Sequence, residues 1–342
     1  MSADAVGLAI LGAGRMGRFH AECLRNSTAV SVLAVADTSP PALEAAQKII
    51  GDVALYETVD AAIAHPGVEA CLIATPSPSH PDDVRAALAA GLHVLCEKPV
   101  SLDPAETRAL ADLAERAGRL LQVGFWRRFS PPWRAARQAI AAGRIGRPLI
   151  LRLSQWDANP PPAAFCDPAV SGGLAIDCGV HEFDLAEWLS DEDVVEVQAW
   201  SLPPVAEEVA SVGDVDNLIA VLRLTGGAVA TVDLSRNSRY GDDVRTEILG
   251  SDGAIFIETL PRARARLATA DTDETLAGSE TEDATTAGVI GQANDFAAAV
   301  RGAVVERPGA EESARATEIG LAVRHVAQTG TTTRISRSSD AR

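Results

Sequence analysis

The chain has 342 residues, 47% hydrophobic and 23% charged, which is enough for two cored domains or one large one. Its formal charge of −17, from 30 Lys and Arg against 47 Asp and Glu, argues against a nucleic-acid partner or an anionic membrane surface. No apolar run nears the ~20 residues of a membrane span. The N-terminus shows no secretory signal, and five cysteines without a C-x-x-C pair indicate neither a disulfide framework nor a metal site. A cytoplasmic protein is expected.

The first half alternates short apolar runs with helical stretches. Val6–Leu11 is predicted as a buried strand, with Gly12-Ala13-Gly14-Arg15-Met16-Gly17 directly after it. A helix from about Met16 to Arg25 and a strand over Ala29–Ala36, ending at Asp37, complete a strand–turn–helix–strand unit. This is the G-x-G-x-x-G setting of a dinucleotide site. Gly12 permits the tight turn, Gly14 lets backbone approach a pyrophosphate, and Gly17 lets the helix pack on the strand. The helix N-terminus offers free N–H groups and partial positive charge. Asp37 lies 20 residues past Gly17, where a carboxylate accepts from ribose hydroxyls and repels a 2′-phosphate. NAD is therefore expected over NADP, although Thr38 and Ser39 could still donate to a phosphate. The other role open to Asp37 is a helix N-cap before Pro40-Pro41.

Helices are predicted at Pro41–Ile50, from Thr58 to Ala64, at Asp82–Ala90 and at Asp103–Ala117. Strands are predicted at Val53–Leu55, Val68–Ala74, Leu92–Cys96 and Leu120–Val123. Such alternation implies a doubly wound parallel sheet. Thr75-Pro76-Ser77 ends one strand and is placed to line the nicotinamide side of a cofactor; His80 follows near a helix start, where it is structural or part of the site. Cys96-Glu97-Lys98-Pro99 ends the fifth strand, the edge at which such sheets bind ligands. Lys98 alone could be a solvated surface charge, or an amine aimed over the sheet by its proline neighbour.

After Gly124 the texture changes. Phe125-Trp126-Arg127-Arg128-Phe129 is aromatic and basic in a chain with 4% aromatic residues. It is either a junction packed by aromatics or a source of arginines for a ligand. Trp133–Ala142 is predicted helical and Pro148–Trp156 a strand, with a Pro- and Gly-rich loop over Asp157–Gly173. Strands are predicted near Val194–Trp200, Asp216–Leu224, Ala228–Leu234, Val244–Leu249 and Ala254–Glu258, with Gly226-Gly227 as a hairpin turn. The second domain is thus expected to be α+β, on a mostly antiparallel open sheet. Ala268–Gly288 is expected to be a loose loop, and Asn294–Val300 and Glu311–Gln328 closing helices, the last returning to the first domain. The expected domains are 1–124 and 125–330, with 331–342 a tail.

Asp177 and His181 are four residues apart, and share one helix face if a helix starts near Asp177. A carboxylate beside an imidazole fixes its tautomer and favours its protonated form, as a base taking a hydroxyl proton requires. An ordinary ion pair is the alternative. Asp184 is placed to buttress that helix.

These residues together resemble the Gfo/Idh/MocA oxidoreductase family, and within it the inositol 2-dehydrogenases. The resemblance runs over nearly the whole chain. It is carried by Gly12-Ala13-Gly14-Arg15-Met16-Gly17, Glu97-Lys98-Pro99, Gly124-Phe125-Trp126-Arg127-Arg128 and Asp177-x-x-x-His181, in the family's order. It implies a Lys–Asp–His catalytic group of Lys98, Asp177 and His181, and a cis Lys98–Pro99 bond. It implies cofactor contacts at Gly12, Gly14, Arg15, Met16, Gly17, Asp37, Thr75, Pro76, Ser77, His80, Glu97 and Lys98. Substrate contacts are implied at Lys98, Trp126, Arg127, Asp157, Asn159, Asp177, His181 and Tyr240. Subunits are expected to pair, as a dimer or tetramer, through the second-domain sheet. Two departures stand out. Inositol dehydrogenases tend to carry His-Arg-Asn-Pro where this chain has Asp157-Ala158-Asn159-Pro160, and a second tyrosine where it has Asp242. Both fall where polyol hydroxyls are read.

The expected activity is NAD-dependent oxidation of a secondary alcohol of a cyclic polyol or sugar. An NADP-linked sugar or keto-sugar reductase is the alternative, and a non-catalytic nucleotide sensor is a third possibility that has no use for Lys98, Asp177 and His181 together.

Overall fold

A computed structural model of the chain describes residues 5–158, 161–260, 263–278 and 283–336. The chain divides into two compact units. The first comprises residues up to Trp126 together with Gly288–Ala314, and the second Arg127–Ala287 with the residues from Arg315 on.

The first unit is a parallel sheet of six strands, β1 (Val6–Leu11), β2 (Val30–Ala36), β3 (Ala54–Tyr56), β4 (Ala70–Ile73), β5 (His93–Cys96) and β6 (Leu121–Val123). Their order is β3-β2-β1-β4-β5-β6, which puts the reversal of strand order between β1 and β4. The helices between them are α1 (Arg15–Leu24), α2 (Pro40–Ile50), α3 (Val59–Ile63), α4 (His80–Ala89) and α5 (Pro104–Arg116). β1 is buried along its whole length, so it has no polar face to alternate. Leu8, Ile10, Leu72 and Leu95 form the core with Phe296, and each such side chain contributes roughly 1.5–3 kcal/mol on burial. Thr58 and Asp103 accept backbone N–H groups at the starts of α3 and α5. Cys71 and Cys96 are plain core thiols, fully buried.

The second unit is built on nine strands: β7 (Pro148–Trp156), β8 (Val194–Ser201), β9 (Asn217–Leu224), β10 (Val229–Ser235), β11 (Asp243–Gly250), β12 (Gly253–Glu258), β13 (Arg264–Thr269), β14 (Asp273–Gly278) and β15 (Thr333–Arg334). The order is β14-β13-β12-β11-β7-β10-β9-β8-β15, and every pairing is antiparallel except β7 with β10. Its described helices are α6 (Pro131–Ala141), the short turns α7 (Ala163–Cys166), α8 (Pro168–Ser171) and α9 (Leu174–Asp177), then α10 (Gly179–Ser190) and α11 (Glu207–Ser211). Of the last two helices, α12 (Ala284–Val300) belongs mostly to the first unit and α13 (Ala310–Thr329) mostly to the second. α6 and α10 pack on one face of the nine-stranded sheet, over Leu151, Leu153, Val232 and Ile248. The opposite face exposes Trp200, Ile219, Leu249 and Phe256.

Three local expectations change. Of the loose loop expected over Ala268–Gly288, the described residues form the end of β13, a turn, all of β14 and the start of α12, and residues 279–282 lie outside the described residues. Its Thr and Asp residues make a hairpin turn: Thr269 Oγ1 accepts the N–H groups of Asp271 and Thr272, and Arg266 grips Asp273 across the strands. Ala265 and Leu267 point inward while Arg264 and Arg266 point out, a period-two signal too short to stand out from the polar composition. In the expected tail, Thr333 and Arg334 pair with Val197 and Glu196 as an edge strand. Finally, no continuous helix begins at Asp177: that residue closes the turn α9, and α10 starts at Gly179.

Candidate active site

Each unit carries part of the expected site. In the first, the glycine turn fits a dinucleotide on steric grounds. Gly12 has φ +94°, and a Cβ there would lie 2.6 Å from the Ala74–Thr75 peptide. A Cβ on Gly17 would lie 1.8 Å from Gly12 O, so this glycine is what lets α1 touch β1. Gly14 differs: nothing lies within 4 Å of its would-be Cβ, and Gly14 and Arg15 are exposed at the start of α1, with Met16 half-buried behind them. The open space sits where backbone N–H groups meet the helix dipole, as a pyrophosphate needs.

Asp37 is held at the end of β2. Its Oδ2 accepts the Ala13 N–H at 2.7 Å and its Oδ1 the Ser39 N–H at 2.8 Å. It does not cap α2, whose N-cap residue is Ser39. The carboxylate is instead tied to the glycine turn, where a ribose would meet it.

Lys98 follows β5 and is half-buried; the Lys98–Pro99 bond is cis. Its neighbours are turned inward. Glu97 is buried, with His20 Nε2 of α1 2.6 Å from its Oε1 and its Oε2 accepting the Lys98 N–H at 3.3 Å. Burial opposes that charge, but the His20 hydrogen bond and the surrounding charges hold the carboxyl below the usual carboxylate range. His80 is buried too, its Nδ1 2.8 Å from Pro99 O and its Nε2 2.8 Å from Thr75 O. A neutral ring donates to one of two such carbonyls only; an imidazolium satisfies both. Glu97 and His80 thus fix the backbone on either side of Lys98 and at Thr75, and what they offer a cofactor is that placement. The Thr75 hydroxyl donates to Asp83 at 2.6 Å, Pro76 is exposed, and Ser77 and Trp126 are half-buried.

In the second unit, α10 is buried almost throughout, acidic residues included. Arg127 ion-pairs with Glu182 and donates to Gln155 at 2.7 Å, while Arg128 grips Asp184 with two hydrogen bonds at 2.9 and 2.6 Å. The guanidinium of Arg127 lies over Trp133 and that of Arg128 over Trp188. The aromatic and basic run therefore neutralises the buried acids of α10, the helix that carries His181, itself 6% exposed.

Asp157, at the end of β7, lies against the turn α9. Its carboxylate accepts from Gln155 Nε2 at 3.1 Å and from the Cys178 thiol at 3.3 Å. Burial pushes its pKa up, and the charges of Asp242 and Asp177 add to this, against the Gln155 and Cys178 hydrogen bonds. Asp177 Oδ2 accepts from Arg236 at 3.1 Å. Asp242 accepts the Ala158 N–H at 2.7 Å. Tyr240 is 63% exposed, its hydroxyl donating to Asp243. Asn159 lies outside the described residues.

The second unit thus brings Asp157, Asp177, Cys178 and the Ser235–Tyr240 segment together, with Arg127 joined to them through Gln155. Arg236, Asp214 and Gln155 escape sequence reading, as does His20 in the first unit. For Arg236 a signal exists, since it stands four residues before Tyr240, a substrate contact that the resemblance implies.

Comparison with known proteins agrees with this fold. Residues 6–125 match the oxidoreductase family with an NAD-binding Rossmann fold, and residues 133–256 match the GFO/IDH/MocA C-terminal domain. The chain is 35% identical to myo-inositol 2-dehydrogenase of Thermotoga maritima over 253 residues, covering 74% of this chain and 75% of that protein. It is 34% identical to scyllo-inositol 2-dehydrogenase (NAD(+)) of Bacillus subtilis, covering 74% and 73%. The crystal structure of scyllo-inositol dehydrogenase from Lactobacillus casei, with bound NAD(H) and scyllo-inositol, superposes with a TM-score of 0.83 at 25% identity, over 96% of this chain and 99% of that one. The chain belongs to the Gfo/Idh/MocA family of oxidoreductases, with an NAD-binding Rossmann domain at its N-terminus.

Proposed function

We propose that the protein oxidises a secondary alcohol of a cyclic polyol of the inositol type, with NAD as cofactor and Lys98, Asp177 and His181 as its catalytic group. What carries this reading is the joint occurrence of a half-buried lysine after β5, of Asp177 at the end of α9 and of buried His181 in the first turn of α10, in a chain about 35% identical to an inositol dehydrogenase. NAD, when bound, would accept the hydride that leaves the carbinol carbon. Gly12, Gly14 and the α1 N-terminus would hold its pyrophosphate, and Asp37 its adenosine ribose. The same carboxylate disfavours the 2′-phosphate of NADP, which weighs against the reductase alternative.

His181 takes the hydroxyl proton as general base. The Lys98 ammonium donates to the same oxygen and stabilises the charge that develops there. Asp177 orients Lys98 or His181. Trp126, Arg127, Asp157, Asn159 and Tyr240 are proposed to shape the substrate site, Arg127 through Gln155. Asp157, standing where inositol dehydrogenases tend to have histidine, would select among hydroxyl patterns.

The experiment is a panel of inositol isomers and common aldoses, each offered with NAD and with NADP while reduced-cofactor absorbance is followed. NADH formation with a cyclic polyol, faster than NADPH formation, is expected. Turnover confined to NADP would sink the cofactor assignment. We also infer that a second copy docks on the open face of the second-unit sheet, over Trp200 and Ile219; light scattering that finds a monomer would exclude it.

A further inference from the structure

We propose that Arg236 is a positioning residue for the reaction, gripping Asp177 at its carboxylate and, through Asp214, at the start of the turn that carries it. The inference rests on the reading of Asp177 as part of the catalytic group.

Arg236 immediately follows β10 and is fully buried. Its backbone N–H donates to Asp216 O at 2.9 Å, which fixes the residue at the sheet edge. One guanidinium nitrogen donates to Asp214 Oδ2 at 2.8 Å and the other to Asp177 Oδ2 at 3.1 Å. Asp214 in turn accepts the Leu174 N–H with both oxygens, at 3.2 and 3.0 Å. Leu174 opens α9 and Asp177 closes it. A single side chain therefore holds both ends of the four-residue turn, one directly and one through a carboxylate.

The local sequence is built around this grip. Gly173 has φ +74°, and a Cβ on it would lie 2.6 Å from Asp214 Oδ1. Only glycine lets the turn come close enough to use Asp214 as its anchor. A guanidinium suits the position because it is planar, permanently charged and two-pronged, so it sets the orientation of two carboxylates at once. Asp177, Asp214, Cys178 and Cys166 are the charged or titratable groups that face it, and Asp157 joins the cluster through the Cys178 thiol.

A buried arginine could instead serve folding alone. The two roles differ in what they do to proton transfer. If Arg236 keeps Asp177 ionised and aimed, removing its charge raises the pH at which Asp177 ionises. The acidic limb of the kcat profile then moves to higher pH. A purely structural arginine would change stability and leave that limb in place.

The test compares the full-length wild type with Arg236→Gln, Arg236→Lys and Asp177→Asn, using NAD and myo-inositol or the isomer selected by the panel above. Arg236→Gln is expected to lower kcat by about 10–100-fold, the effect of one hydrogen bond to a charged group. KM for NAD should stay near the wild-type value, and the acidic limb should move up. Arg236→Lys should recover part of kcat and return the limb toward its wild-type position. A wild-type kcat and limb in Arg236→Gln overturns the inference, as does a lower kcat with an unmoved limb that lysine does not rescue. Should Arg236→Gln fail to fold because two buried carboxylates lose their partner, Arg236→Lys decides alone: an intermediate kcat with a smaller upward shift supports the inference, and wild-type behaviour overturns it. Asp177→Asn separates this inference from its parent. Near-normal turnover in Asp177→Asn would sink the catalytic reading of Asp177, whereas an inactive Asp177→Asn with an unaffected Arg236→Gln would sink only the role of Arg236.

Discussion

The two units each contain a glycine-rich turn leading into a helix, and they use it in opposite ways. At Gly12–Gly17 the would-be Cβ of Gly14 meets open space, and the first amides of α1 follow an exposed loop. At Gly172-Gly173 the corresponding space is full: Ile176 stands 2.6 Å from a Cβ on Gly172, Asp214 2.6 Å from one on Gly173, and the first amide of the turn is taken by Asp214. The first turn gives its Ala13 amide to the Asp37 carboxylate but leaves the start of α1 exposed. The second uses its donor internally to fix the turn that carries Asp177. A glycine pair before a helix therefore does not by itself mark a phosphate site; what matters is whether a protein carboxylate already occupies the amide that opens the helix.

Substitutions can break or sharpen that contrast. The largest effect is expected at Gly17, where a Cβ would meet backbone oxygen at 1.8 Å: Gly17→Ala should cost about 3 kcal/mol or more in thermal or urea unfolding. Gly173→Ala, strained in φ and against Asp214, should cost about 1–3 kcal/mol and lower kcat while leaving NAD affinity intact. Gly14→Ala should do the reverse. Its φ of −66° suits alanine, so stability should hold within about 0.5 kcal/mol. NAD binding, measured by titration calorimetry, should weaken by on the order of tenfold. Equal losses of stability in Gly14→Ala and Gly173→Ala would erase the distinction.

Asp37→Ala should narrow the preference for NAD over NADP by about tenfold, the scale of one hydrogen bond to a charged group; an unchanged ratio would count against its ribose role. The smallest effect is expected away from both turns. Glu69 is paired with Arg301 and accepts the Gly7 N–H, and the Arg301 hydrogen bond leads the causes that hold its carboxyl down to about 2. A depressed folded-state pKa means stability present above the unfolded value and lost as pH falls toward about 2. Because the pair is solvent-exposed, Glu69→Gln should cost no more than about 1 kcal/mol at neutral pH. That difference should vanish in acid.

Most of the first unit was legible in the sequence because its signals are local. Apolar strands, glycine spacing and an acid at the next strand end all fall within one stretch, Val6 to Asp37. Lys98 and the His181 helix were legible as motifs for the same reason. What supports them was not. Arg127 and Arg128 meet acids 55 and 56 residues away, and Arg236 meets Asp177 across 59. Nothing in the local pattern of Phe125–Phe129 distinguishes arginines facing a ligand from arginines neutralising a buried helix. The hairpin of β13 and β14 was hidden for another reason: its edge strands are short and polar, as exposed edges often are, and composition there resembles a loop.

Lys98 and His181 are proposed to act on the bound alcohol rather than to hold the cofactor, and on that division of labour the proposed chemistry depends. It is tested most directly by measuring kcat and the NAD dissociation constant for Lys98→Ala and His181→Ala beside the wild type. Turnover should fall by roughly 10²–10⁴-fold with NAD affinity close to the wild-type value. Near-normal turnover in both variants would contradict it.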